Sequence, residues 1–301
     1  MYSANEDIKL ITLIGCPLGQ SFAARMQNAA YSAMGINIKY FYTEAGTDKL
    51  PEIINKIRKD ASYIGFAVTK PNKIEVMKYL DRKDELCRAT GACNTVLKNK
   101  DGALLGYNTD AVGFRMAFEE AGLDVSGKKC FCFGAGGAGH AICAALTKMG
   151  ADIIYITDVL EDMADSLAAK INEAFKCDKI KAVPNGCFDY IKDCDFVINA
   201  SGIGMANTEG QSPMPAEYIR PGQFYFDACY NPEKTRFLID AEAKGCRIMN
   251  GLTMSLYQGF EQIKIWTGEG AAFGAGSRFQ SPQVMDRLLE VMRRELDGGR
   301  K

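Results

Sequence analysis

The chain has 301 residues, 47% hydrophobic and 24% charged, the profile of a folded chain of about two domains rather than a disordered one. Its 36 Lys and Arg stand against 37 Asp and Glu, a net charge of −1, so there is no basic excess to hold a nucleic-acid backbone. Residues 130–147 carry no charge over 18 positions, but Gly134, Gly136, Gly137 and Gly139 interrupt the run, which makes a poor membrane helix. The first ten residues lack the basic-then-apolar order of a secretion signal.

The 11 cysteines are odd in number and form no CxxC pair. Neither a disulfide framework nor a zinc site is expected, and reduced thiols in a cytoplasm are the simple reading. The single histidine, His140, falls in the glycine-rich stretch. A helix residue there is badly placed to serve as the base of a hydrolase triad.

In chain order, Lys9–Gly15 reads as a strand and 21–34 as a helix capped by Ser21. A strand at 40–44, a helix at 49–59 and a strand at 63–68 follow. Pro71 then opens a helix at the position where its missing N–H costs nothing. Strands at 93–97 and 103–107 are joined by a turn at 98–102. This half reads as an open α/β layer, with the arrangement of its strands left open by the pattern. A second α/β unit begins near Gly127: strand 128–133, helix 138–149, strand 153–157, helix 161–175, then strands 196–199 and 223–227. Near Thr109 a helix is expected to run from one domain into the next. A helix near 256–266 follows. The last helix, 281–294, has Ser281 as cap, Pro282 in its first turn and an apolar stripe of Val284, Met285, Leu288, Leu289 and Met292. Both late helices are placed against the first domain.

The strongest local signal is Gly134-Ala135-Gly136-Gly137-Ala138-Gly139, between an apolar strand and an uncharged helix. Such a turn suits a dinucleotide. The first glycine makes the turn, the second lets the pyrophosphate approach the backbone, and the third lets helix and strand pack. The helix N-terminus supplies N–H groups to the phosphates. Asp158 ends the next strand, 19 residues beyond Gly139, where a carboxylate would accept the adenosine ribose hydroxyls and repel a 2′-phosphate. No Arg or Lys lies between Val159 and Ala169. NAD is therefore expected, with NADP second. The plain alternative is that Asp158 is a turn residue.

Eight segments then occur in one order: Ile14-Gly-Cys-Pro-Leu-Gly-Gln-Ser21, Gly65-Phe-Ala-Val-Thr-Lys-Pro-Asn-Lys73, Gly91-Ala-Cys-Asn-Thr95, Gly106-Tyr-Asn-Thr-Asp110-Ala-Val-Gly-Phe114, the glycine turn, Ile198-Asn-Ala-Ser-Gly-Ile-Gly-Met205, Asp227-Ala-Cys-Tyr-Asn-Pro232 and Asn250-Gly-Leu-Thr-Met-Ser-Leu-Tyr-Gln258, closing on Trp266-Thr-Gly268. Together they resemble the shikimate dehydrogenase family, which includes the quinate/shikimate dehydrogenases. The resemblance implies a two-domain α/β fold. Residues 1–108, completed by 256–301, would form the substrate-binding domain, and 109–255 a Rossmann dinucleotide-binding domain. The C-terminal helix would return to the first domain.

The resemblance also implies roles. Lys73 and Asp110 form the catalytic pair that passes a proton to or from the reacting oxygen, an assistance worth about 10²–10⁴-fold. Ser21 and Tyr230 contact the substrate carboxylate; Thr69, Asn94 and Gln258 contact ring hydroxyls. Ser201 and Met205 lie along the nicotinamide half of the cofactor, and Gly251 approaches its amide. The expected partner is a small cyclic hydroxy acid, on a monomer or homodimer, with no nucleic acid and no membrane. Three positions depart from the family pattern: Ala23 stands where a second serine is usual, Ala67 where an asparagine is usual, and Lys70, expected to face solvent, where an apolar residue is usual. Each missing hydrogen bond is worth about 1–3 kcal/mol. Quinate, another shikimate-like polyol, or a catalytically silent dinucleotide sensor are the alternatives to shikimate turnover.

Overall fold

The structure, a computed structural model, describes residues 8–19, 21–268 and 282–298. In chain order the elements are β1 (Lys9–Gly15), α1 (Ala23–Met34), β2 (Ile38–Glu44), α2 (Leu50–Lys59), β3 (Tyr63–Val68), α3 (Asn72–Glu75), β4 (Arg82–Lys83), α4 (Glu85–Thr90), β5 (Thr95–Lys98), β6 (Leu104–Tyr107), α5 (Thr109–Glu120), β7 (Lys129–Phe133), α6 (Gly137–Lys148), β8 (Ile153–Thr157), α7 (Glu161–Phe175), β9 (Ile180–Ala182), β10 (Phe196–Asn199), β11 (Phe224–Asp227), α8 (Arg236–Ala243), β12 (Arg247–Asn250), α9 (Leu252–Thr267) and α10 (Pro282–Gly298). Short 3₁₀ turns join several of them. Two compact units result. One holds the residues up to 88, 92–109 and those from 256 onward; the other holds 89–91 and 110–255.

In the first unit six strands form a mixed sheet of order β2-β1-β3-β5-β6-β4. β1 pairs in parallel with β2 and β3, while β5 runs antiparallel to β3 and β6. β3 (YIGFAV) is buried at all six positions, as an unbroken apolar run in a central strand should be. Ile14, Leu50, Ile54, Ile57, Phe66, Val76, Val96 and Leu104 fill the core on one face. On the other face Trp266 of α9 donates its indole N–H to the Val96 carbonyl at 3.0 Å. A Cβ on Gly65 would stand 2.5 Å from that indole nitrogen, so glycine is what lets the ring lie on the sheet. α10 packs on α1 through buried Leu288, Met292 and Leu296, with an Arg25–Glu295 ion pair beside them. Of the stripe expected on this helix, Val284 and Leu289 are half-buried; the cap Ser281 and the side chains of Pro282 and Met285 lie outside the described residues.

The second unit is a wholly parallel sheet of order β12-β11-β10-β7-β8-β9. The strand order reverses beside β7, the switch point where such sheets open a crevice at their carboxyl ends. Phe114 and Phe118 of α5 pack edge-on against Phe226 at 5.2 and 5.5 Å. Phe131, Val197, Tyr225 and Phe237 pack the opposite side. No helix among the described residues is long and apolar enough to cross a membrane.

Some expected boundaries move. α1 starts at Ala23 rather than Ser21, with Phe22 at the cap position. The strand expected from residue 93 starts at Thr95; the Cys93 N–H turns away from the sheet to the Lys73 carbonyl. β4, β9, α4, α8 and β12 are absent from the sequence reading.

Candidate active site

The carboxyl ends of β1, β2 and β3 lie side by side and carry the loops that bring polar groups to one edge of the first unit. β1 ends at Gly15, where a Cβ would stand 2.3 Å from Thr69 Cγ2; the absent side chain lets the following loop lie against Thr69. Thr69 itself is half-buried, its N–H bonded to the Ile14 carbonyl at 2.9 Å. Glu44, the last residue of β2, accepts the Leu18 N–H at 3.2 Å. Tyr42 donates its hydroxyl to the Ser21 carbonyl at 2.6 Å and accepts the Ala24 N–H at 3.1 Å. Ser21 Oγ accepts the Ala23 N–H at 3.3 Å. Tyr42 thus brackets Ala23, and sequence reading missed it; the signal was a tyrosine one strand away with no local pattern to mark it.

Lys73 is the second residue of α3 and half-buried. Its carbonyl accepts the Cys93 N–H at 2.8 Å, and the side chain of the neighbouring Asn72 donates to the Ala45 carbonyl at 2.9 Å. Asn94 is buried. Its amide donates to Thr109 Oγ1 at 2.8 Å and to Gln258 Oε1 at 3.3 Å, and its carbonyl oxygen accepts the Thr109 N–H at 2.8 Å. Thr95 Oγ1 accepts Gln262 Nε2 at 2.9 Å, and Gln262 Oε1 accepts Gln27 Nε2 at 3.1 Å. A polar chain therefore ties α1, α9 and β5 to the start of α5. Ala67 is buried opposite Thr95, and Lys70 is exposed.

Asp110, buried in the first turn of α5, belongs to the second unit. A helix start favours a carboxylate through its outward N–H groups. The glycine turn follows β7. Gly134 has φ +98° and a Cβ there would lie 2.5 Å from Ser201 Cα; one on Gly139 would lie 1.9 Å from the Gly134 carbonyl oxygen. Gly136 differs, since a Cβ there would meet nothing within 4 Å. No side chain caps α6, so the N–H groups of its first turn, from Gly137, Ala138 and Gly139, point outward over that open space. The turn therefore fits the pyrophosphate of a dinucleotide. His140, on the next position, is buried, and its Nδ1 is hydrogen-bonded with the Thr90 carbonyl.

Further along the carboxyl edge, Ser201 Oγ donates to Asn199 Oδ1 at 2.6 Å. Met205 and Tyr230 are half-buried on the loops after β10 and β11. Gly251 sits where a Cβ would be 2.1 Å from the Ala228 carbonyl oxygen. Sequence reading missed Asn199, Asp227 and Thr235 beneath these loops. For Asn199 and Asp227 the signal was a polar residue at the last position of a strand buried throughout.

The comparisons with known proteins agree along the chain. The family described as "Shikimate dehydrogenase substrate binding domain" matches residues 13–96. The shikimate dehydrogenase (NADP(+)) of Moorella thermoacetica is 34% identical over 99% of this chain and 98% of its own. A solved shikimate dehydrogenase in complex with NADP+ superposes with TM-score 0.84 at 33% identity, over 98% of this chain and 96% of its own. The Listeria monocytogenes shikimate 5-dehydrogenase, solved with shikimate and NAD, gives TM-score 0.80 at 33% identity over 95% and 96%.

These relatives correct the expected cofactor: the NADP(+) enzyme and the NADP+ complex favour NADP over NAD. The physical reason lies at Asp158. One carboxylate oxygen accepts the Ala135 N–H at 2.7 Å and the other the Leu160 N–H at 3.0 Å. The group braces the glycine turn and its own strand end, so both oxygens are already engaged by backbone N–H groups, and its place at the strand end does not by itself mark a ribose acceptor. With the likeness covering nearly the whole of both chains, this protein belongs to the shikimate dehydrogenase family.

Proposed function

We propose that this protein is an NADP-dependent oxidoreductase acting on the ring C–OH of shikimate or a close cyclic hydroxy acid. The observation that carries the reading is the end-to-end likeness to NADP(+) shikimate dehydrogenases, with Lys73 and Asp110 both standing in their segments. A nicotinamide cofactor held at the glycine turn would supply or take up the hydride. The protein does the rest. Gly136, Gly137, Ala138 and Gly139 receive the pyrophosphate, and Asp158 holds the turn in shape. Ser201, Met205 and Gly251 flank the nicotinamide half. Ser21, whose Oγ already accepts a backbone bond, donates its proton to the substrate carboxylate, joined by Tyr230. Thr69, Asn94 and Gln258 receive ring hydroxyls. Lys73 and Asp110 hold the reacting oxygen and move its proton. The free state of all 11 cysteines fits a cytoplasmic setting.

The test is nicotinamide absorbance with shikimate and quinate, each with NADP and NAD. Turnover of shikimate with NADP is expected, and Lys73→Ala or Asp110→Asn should lower kcat/KM about 10²–10⁴-fold. Unchanged turnover in both variants would remove the pair from the mechanism. Tight NADP binding with no turnover of any cyclic acid would mark a sensor instead.

A further inference from the structure

We propose that Asp227, with Asn199 and Thr235, is a positioning cluster that sets the loops on which the nicotinamide half of the cofactor rests. Asp227 is the last residue of β11 and fully buried. It lies level with Asn199 at the end of β10 and with Asn250 at the end of β12. Donors from both sides converge on its carboxylate. Asn199 Nδ2 and Thr235 Oγ1 reach one oxygen at 3.0 and 2.6 Å, and the Cys229 N–H reaches the other at 2.9 Å. Asn199 in turn donates to the Ile203 carbonyl at 2.9 Å and accepts the Ser201 N–H at 3.1 Å. Thr235 packs on Gly204, where a Cβ would lie 2.9 Å from its own. Cys229 continues the chain of support, since its carbonyl accepts the Gly251 N–H at 3.1 Å.

One buried acid therefore reaches Ser201, Gly204, Cys229 and Gly251 through a single intermediary or directly. The first of these loops needs such support. Gly202, Gly204 and Ala206 have φ of +81°, +103° and +51°, and for alanine that conformation is strained. A strained segment keeps its shape only where its surroundings over-determine it. The donor set also explains the residue type. A carboxylate only accepts, whereas an amide in its place would turn an NH₂ toward at least one N–H donor. A hydrogen bond to a buried charge is among the stronger ones.

The inference rests on the reading of Ser201, Met205 and Gly251 as nicotinamide-side residues, and the experiment separates the two. Two probes are titrated calorimetrically: NADP, and adenosine 2′,5′-bisphosphate, which carries the adenine half alone. Asp227→Asn and Thr235→Val are each expected to weaken NADP about tenfold or more, the scale of one lost charged hydrogen bond. They should leave the bisphosphate within about twofold. Thr235→Ser keeps the hydroxyl and should restore NADP binding, which keeps the test alive if Asp227→Asn fails to fold. Equal weakening of both probes, or of neither, overturns the proposal. Were wild type to bind both probes equally, the nicotinamide-side reading itself would fail.

Discussion

His140 shows how a residue that composition makes conspicuous can be fully used by structure. It is the one histidine of the chain, yet it is buried on α6 and bonded with the Thr90 carbonyl. Burial pushes the imidazole below its ordinary value of 6.5, the carbonyl opposes that shift, and Lys170 adds to it. The sign follows. Below about 6.5 the unfolded chain takes up a proton that the folded ring still refuses, so stability falls as pH drops through that window and is fully present above it. His140→Gln should flatten the pH dependence of thermal stability below about pH 6.5 relative to wild type. The ring's own proton resonance, unambiguous in a one-histidine protein, should titrate below 6.5; titration above it would contradict the burial argument. Asp158 makes the complementary point. Its position matched a ribose acceptor, but its oxygens face the N–H groups of Ala135 and Leu160, and nothing in the sequence says which way a carboxylate turns.

At the scale of elements, the β7–α6 turn separates what glycine does for folding from what it does for binding. Gly139→Ala places a methyl carbon 1.9 Å from a backbone oxygen, while Gly136→Ala places one in open space. The first should lower the melting temperature sharply, since backbone cannot give way as a side chain can. The second should leave melting within about 2 °C, a shift worth under ~1 kcal/mol, yet weaken NADP strongly by standing where the pyrophosphate approaches. Differential scanning calorimetry beside NADP titration reads both; equal melting temperatures for the two variants would refute the contrast. The edge strands that sequence reading missed share a reason. β4 is Arg82–Lys83, β9 is Ile180–Ala182 and β12 is Arg247–Asn250. Each is too short to show a period, and each lies at the end of its sheet, where pairing with one neighbour does what local pattern does elsewhere.

Over the whole molecule, the first unit is assembled from both ends of the chain. α9 brings Trp266 and Gln258, and α10 covers α1 with Leu288, Met292 and Leu296. Burying three such side chains stabilises by about 1.5–3 kcal/mol each, comparable with the net stability of a domain. Truncation after Gly268 should therefore melt the first unit well below wild type. Binding of adenosine 2′,5′-bisphosphate by the second unit should persist. Loss of that binding together with the first unit's fold would show that the two do not melt separately.

Strand and helix identity for the longer elements was legible because apolar period and glycine, serine and proline punctuation are local properties of the chain, and the run of quoted segments carried the family. The sequence also located the candidate residues along the chain, Lys73, Asp110 and the glycine turn among them. It did not contain the mixed pairing of the first sheet, the short edge strands, the Tyr42 bracket around Ala23 or the Asp227 cluster under the loops after β10 and β11. Those depend on residues far apart in the chain meeting in three dimensions. Hydrogen-bond partners and burial are decided by that meeting, and the turning of Asp158 toward backbone N–H groups is decided with them.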